Sequence, residues 1–135
     1  MSHWLGMILR FLLAVALGAG IGYQRERSGK AAGVRTHILV SAGAALFTLV
    51  STYGFDASGV DISRVAAGVV VGVGFIGAGV IFRGARGEEV AGLTTAATIW
   101  ITAAIGLAAG AGMYLISVIA TAVIAGILLL PKIRG

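Results

Sequence analysis

Cysteine is absent from these 135 residues, which excludes disulfides and thiol chemistry and leaves the compartment open. Proline occurs once, at Pro131, where it would end the last apolar run. Charge is scarce: 11% of residues are charged, against about 25% in soluble domains. Only five residues are acidic, and none lies well inside an apolar run. A proton-coupled carrier usually needs such a carboxylate, and a magnesium site usually has one or two. Walker motifs, metal-ligand clusters and nucleophile–base pairs are missing too, so neither an enzyme nor a cofactor or metal site is expected.

What is present is apolar. Hydrophobic residues make up 59% of the chain, and the mean hydropathy is +1.03. That composition describes an all-α, polytopic membrane helix bundle occupying residues 1–135 as a single domain. The net charge of +5 would suggest nucleic acid in a soluble protein. Here it points to topology and to contact with membrane lipids, with no nucleic acid expected.

Arg64 to Phe82 carries five glycines, at 68, 72, 74, 77 and 79. Each would cost about 0.5–1 kcal/mol relative to alanine in a helix interior. In lipid the backbone has no water to turn to, so the helix persists and small residues let neighbours approach. This run is expected to be the central helix of the bundle, with Gly72, Gly74, Gly77 and Gly79 as packing positions. Gly72-Val-Gly74-Phe-Ile-Gly77 also matches G-x-G-x-x-G. A dinucleotide site would need a strand before it and an acidic residue about 20 positions on, and neither fits one apolar run.

Five spans are expected: 4–23, 37–55, 64–82, 90–109 and 113–130. Ala14-Val-Ala16 resembles a signal-peptidase site. No basic residue precedes the run, however, and the run continues past it, so the first helix is expected to be retained. Arg25, Arg27, Lys30 and Arg35 follow span one, Arg83 and Arg86 follow span three, and Lys132 and Arg134 close the chain. The positive-inside rule then places the N-terminus outside and the C-terminus in the cytoplasm of a bacterial inner membrane.

Sliding the chain by 59 residues lays 18–46 on 77–105, with nine of 29 positions identical, among them Gly-Ala-Gly at 18–20 and 77–79 and Thr36/Thr95. A duplication would make spans one–two and three–four parallel hairpins, as in some transporters. The fifth span would be free for an oligomer interface, with a dimer favoured.

Candidate residues fall into three groups. Arg10, below one interface, either pairs with Asp61 or Asp56, with Arg64 nearby, or snorkels alone. At the cytoplasmic end, Ala-Gly-aliphatic-x-Thr recurs before spans two and four, so Thr36 and Thr95 are expected to cap helix N-termini. Those ends could be caps with topology-setting arginines. Alternatively, Arg25, Glu26, Arg35, Thr36, His37, Thr94, Thr95 and Thr98 could bind an anion or a lipid headgroup. Gly18 and Gly22, with Ala14, and Thr98, Thr102, Gly106 and Gly110 form two small-residue stripes that suit helix packing.

From Arg10 to Tyr114 the chain resembles the MgtC/SapB membrane proteins of bacteria. The resemblance rests on Gly22-Tyr-Gln-Arg25-Glu26-Arg27, Ala32-Gly33-Val-Arg35-Thr36-His37, Asp61-Ile-Ser-Arg64-Val-Ala-Ala and Gly72-Val-Gly74-Phe75-Ile-Gly77-Ala78-Gly79-Val-Ile. Gly92-Leu-Thr94-Thr95-Ala-Ala-Thr98-Ile-Trp100 and Ala-Ile-Gly106-Leu complete it. It implies a small inner-membrane protein linked to magnesium homeostasis and growth at low magnesium. In some pathogens it also implies survival inside host cells and modulation of the proton-translocating ATP synthase, and in other members acid resistance. Gln24, Ile62, Gly68 and Val71 depart from the family's usual glutamate, proline, glutamine and serine. Those losses count against a polar path through span three. Some members carry a soluble C-terminal domain; with this chain ending at Gly135, sensing through one is expected to be absent or supplied by another protein. The expected function is interaction with other membrane components in magnesium or envelope homeostasis. The alternative is a transporter or channel for magnesium or an anion.

Overall fold

In the computed structural model of the chain, residues 2–30, 32–55, 59, 61–83 and 89–130 are described. They form five helices: α1 (Ser2–Arg27), α2 (Val34–Tyr53), α3 (Ser63–Arg83), α4 (Glu89–Gly110) and α5 (Tyr114–Leu128). No strand occurs among the described residues. Four of the helices are long and apolar enough to cross a membrane. The helices overrun the apolar stretches, because backbone hydrogen bonds do not stop where apolar side chains do. Gln24–Arg27, expected as loop, is the last turn of α1.

Glycine ends two of the helices. At the ends of α1 and α4, Gly29 and Gly112 take φ of 71° and 86°. In each case the glycine N–H reaches back three residues and the next N–H reaches back five: Gly29 to Glu26 and Lys30 to Arg25, Gly112 to Ala109 and Met113 to Ala108. This is the Schellman stop, which satisfies helix carbonyls that would otherwise be orphaned.

α5, with 15 residues, is about 22 Å long and shorter than the expected span at 113–130. It runs alongside α1 from the level of Arg10 to that of Gln24. α4 ends beside Arg10, whose Nη1 donates to Gly110 O at 3.3 Å. α5 starts there and ends beside Gln24, whose Nε2 donates to Leu128 O at 3.4 Å. Between Arg10 and Gln24, α1 rises about 21 Å. One end of the bundle therefore holds Arg25 and Arg27 at the end of α1, Arg35 at the start of α2 and the end of α5; the other holds Arg10, Tyr53 and the α4–α5 turn.

The expectation that Arg64–Phe82 is the central helix is corrected. α1, α2 and α4 form the inner group, and α3 leans on α4 and only lightly on α2. Half of the most apolar stretch of α4 is buried (50%), against 17% for α3. A Cβ placed on Gly72, Gly74 or Gly79 would meet nothing within 4 Å, so these three pack against none of the described residues, while Gly77 rests on Ala96. Glycine content marks a helix that could be approached closely and does not say on which side a neighbour stands.

The hairpins do share a register. Gly18 packs on His37 and, 59 positions on, Gly77 packs on Ala96. The first contact is tighter: a Cβ on Gly18 would lie 2.7 Å from His37 O, whereas one on Gly77 would lie 3.9 Å from Ala96 O.

Candidate functional site

Each inner helix presents a seam of buried residues spaced alternately by three and four. It comprises Ala14, Gly18, Ile21 and Arg25 on α1, and His37, Ser41, Ala44, Thr48 and Ser51 on α2. On α4 it comprises Thr95, Thr98, Thr102, Ile105 and Ala109. Lipid supplies no hydrophobic drive for helices to associate, so close packing and interhelical hydrogen bonds must hold the seam. Both are present. A Cβ on Gly22 would lie 2.7 Å from Val34 Cα, one on Gly110 would lie 2.7 Å from Ala45 O, and one on Gly106 would collide with the Ser41 carbonyl. Ser41 Oγ donates to Ala14 O at 2.7 Å.

Toward the arginine-rich end the seam turns polar. Arg25, only 3% exposed, donates from Nη2 to Thr95 Oγ1 at 3.0 Å. His37 is fully buried. Its Nδ1 lies 2.8 Å from Gly33 O and its Nε2 lies 3.1 Å from Thr98 Oγ1. Thr98 Oγ1 is also 2.7 Å from Thr95 O. A carbonyl can only accept, so Nδ1 carries a hydrogen. In the neutral ring Thr98 donates to Nε2; in the imidazolium Nε2 donates to Thr98, which donates onward to Thr95 O. Arg25 Nε and Thr102 Oγ1 are buried with no hydrogen-bond partner among the described residues.

The threonines do not cap helices as expected. Gly33 is the N-cap of α2 and makes no side-chain cap bond. The free N–H of Val34 is taken instead by Glu26 Oε1, from α1, at 3.1 Å. Thr36 sits in the first turn of α2, while Thr94 and Thr95 lie inside α4, which begins at Glu89. Thr94 is half-buried and has a partner. Glu26, Arg35 and Leu39, with Val34 and Ile38, line a pocket of about 580 Å³. Thus Arg25, His37, Thr95 and Thr98 meet inside the bundle, and Glu26 and Arg35 stand apart from them on its surface.

At the opposite end, Arg10 engages Gly110 O and the Tyr53 ring, 5.5 Å from its guanidinium carbon. His3 stacks edge-on against the same ring at 4.8 Å. Of the expected outer ion network, Asp61 is engaged at the start of α3. Asp61 Oδ1 accepts from Ser63 N at 3.0 Å and Ser63 Oγ at 2.7 Å, securing the first turn of α3. Arg64 is exposed. Asp56, like Arg86, Lys132 and Arg134, lies outside the described residues. An arginine at the last carbonyls of α4 suits both its unpaired acceptors and the helix dipole. Tyr53 and Ser41 were not singled out from the sequence, although the spacing of His37, Ser41, Ala44 and Thr48 was the available signal.

Residues 11–133 match the MgtC family. The chain belongs to that family. It is 53% identical over 113 residues to YhiD of Escherichia coli (strain K12), named as a candidate magnesium transporter, covering 79% of this chain and 52% of YhiD. It is 45% identical over 130 residues to SrpB of Synechococcus elongatus, covering 89% and 71%. To MgtC of Salmonella typhimurium (strain LT2) it is 47% identical over 118 residues, covering 87% and 48%. The chain thus spans about half the length of YhiD and of MgtC. No solved structure matches.

Proposed function

We propose that this MgtC-family chain serves magnesium and envelope homeostasis in a bacterial inner membrane by binding other membrane components, as a dimer and without catalysis. The observation that carries this is the closed seam. Where α1, α2 and α4 meet, Gly18, Gly22, Gly106 and Gly110 bring backbone onto backbone. A water-filled path would need those helices apart. The open features face sideways instead: a groove between α2 and α3 of about 550 Å³, and an apolar face of α3 on which Phe75 is 77% exposed. The proposed orientation has the N-terminus outside, with the arginine-rich end in the cytoplasm.

The second reading is transport, of magnesium or an anion. It is favoured by the shared register of the two hairpins and by the name of the relative YhiD. Flux in proteoliposomes, with magnesium and several anions assayed in parallel, separates the two. Flux no greater than in protein-free vesicles is expected, together with crosslinks in native membranes from a single cysteine at the exposed Phe75. Saturable flux that disappears in Arg25→Met would sink the interaction reading.

A further inference from the structure

Every fourth residue of α2 from Arg35 onward, namely Leu39, Gly43 and Phe47, lies on one row of the helix surface. Arg35 heads the row. It is exposed and makes no hydrogen bond or ion pair with another described residue. Beside it the pocket of about 580 Å³ holds one charge of each sign, Arg35 and Glu26. Farther along, the same row becomes one wall of the groove of about 550 Å³, with Gly68, Gly72 and Ile76 of α3 as the other. Leu39 lines both cavities, so the two lie side by side along α2. The glycines of the groove are unspent: a Cβ on Gly43, Gly68 or Gly72 would meet nothing within 4 Å.

We propose that this composite cleft binds one phospholipid with an ammonium headgroup, phosphate on Arg35, ammonium against Glu26, and an acyl chain lying along the α2–α3 groove. The inference rests on the reading of the chain as a membrane protein that works by binding other membrane components, and names one of them. A molecule that is charged at one end and apolar beyond it fits the order of the cavities, polar at the membrane surface and apolar toward the interior. The groove from Leu39 to Phe47 runs about 12 Å along α2, the direction an acyl chain takes. Lipid tails are as apolar as leucine, so the groove orients the chain without adding much affinity. Selectivity must come from the charged pair. Arg35 offers a fork of donors that suits phosphate. Glu26 spends Oε1 on the Val34 N–H and keeps its second carboxylate oxygen for a cation. A second helix would also fill an apolar groove, but it has no use for a zwitterionic pocket at its head.

The test is native mass spectrometry of the full chain in mild detergent. It is offered equal amounts of phosphatidylethanolamine, phosphatidylcholine and phosphatidylglycerol. Preferential retention of phosphatidylethanolamine is expected. Arg35→Ala should cut retention about tenfold, the loss of one charge-assisted contact. Glu26→Gln leaves a carbonyl to accept from Val34 N–H, so α2 should still start correctly while the preference for ethanolamine over choline disappears. Gly68→Leu, filling open space, should weaken retention of all three lipids without lowering the melting temperature. Equal retention of the three lipids, or retention unchanged in Arg35→Ala, overturns the proposal. So does a Gly43→Cys chain that forms disulfide dimers which lipid does not suppress, an outcome that gives the groove to a second copy. None of these failures removes the Phe75 crosslinks or creates flux, so the broader function stands or falls separately.

Discussion

Arg25 Nη2 and Thr95 Oγ1, 70 residues apart in the chain, meet at 3.0 Å inside the bundle. The bond fastens the last turn of α1 to α4 beside His37. It also gives a buried guanidinium a hydroxyl partner in place of a carboxylate. A cation in that position depends heavily on the few acceptors it has.

Thr95→Val should therefore cost about 1–3 kcal/mol of stability, because it keeps the shape and removes an acceptor from a buried donor. Arg25→Met, which removes the charge and keeps the apolar stem, should cost less than Thr95→Val. Thermal unfolding of both variants in one detergent checks the order. Arg25→Met proving much the worse would mean that the guanidinium is stabilised by something other than Thr95.

The glycines divide into two classes. Gly106→Ala drives a methyl group into the Ser41 carbonyl, and Gly18→Ala places one 2.7 Å from His37 O. Backbone cannot yield as a side chain does, so each should cost about 1–3 kcal/mol. Gly72→Ala and Gly79→Ala meet open space and should stabilise α3 by about 0.5–1 kcal/mol each through helix propensity. Melting temperatures that fall for all four would show that α3 has a neighbour outside this chain.

Gly112 has two reasons to be glycine. Its φ is 86°, and a Cβ would lie 3.0 Å from the Arg10 guanidinium carbon. Gly112→Ala should cost about 1–2 kcal/mol from the left-handed backbone alone. Tyr53→Leu removes the ring facing Arg10 and should cost about 0.5–2 kcal/mol. Since both substitutions act at the Arg10 end, a double-mutant cycle should reveal coupling between them.

The absence of cysteine makes topology simple to read. Gly59→Cys should react with an impermeant maleimide applied outside intact cells, and Lys30→Cys only after the membrane is opened. The reverse pattern would invert the orientation derived from the arginines.

Much of the architecture was legible in the chain. Apolar runs near 20 residues became helices because lipid leaves the backbone no other partner, and their number followed from the turns between them. Less legible was who stands next to whom. Arg64–Phe82 holds the densest glycine run, yet Gly72, Gly74 and Gly79 face open space. The close approaches belong to Gly18, Gly22, Gly106 and Gly110, where three seams converge. Thr36 and Thr95 share a motif, but one lies in the first turn of a helix and the other well inside one, so their roles diverge. Among the described residues Arg10 engages a helix end and a tyrosine ring, contacts that its neighbours in the sequence do not announce.

The sequence by itself determined that this is a membrane helix bundle of the MgtC family, with Arg25, Arg27, Lys30 and Arg35 gathered between its first two spans. Both conclusions follow from composition and local order along the chain, which folding does not rearrange. Only the tertiary structure decided that Arg25, His37, Thr95 and Thr98 lie together, that α3 is peripheral, and that Arg35 heads an open groove. Those facts depend on how each helix is rotated about its axis. In lipid every face of these helices is nearly equally apolar, so rotation is set by where backbone can touch backbone.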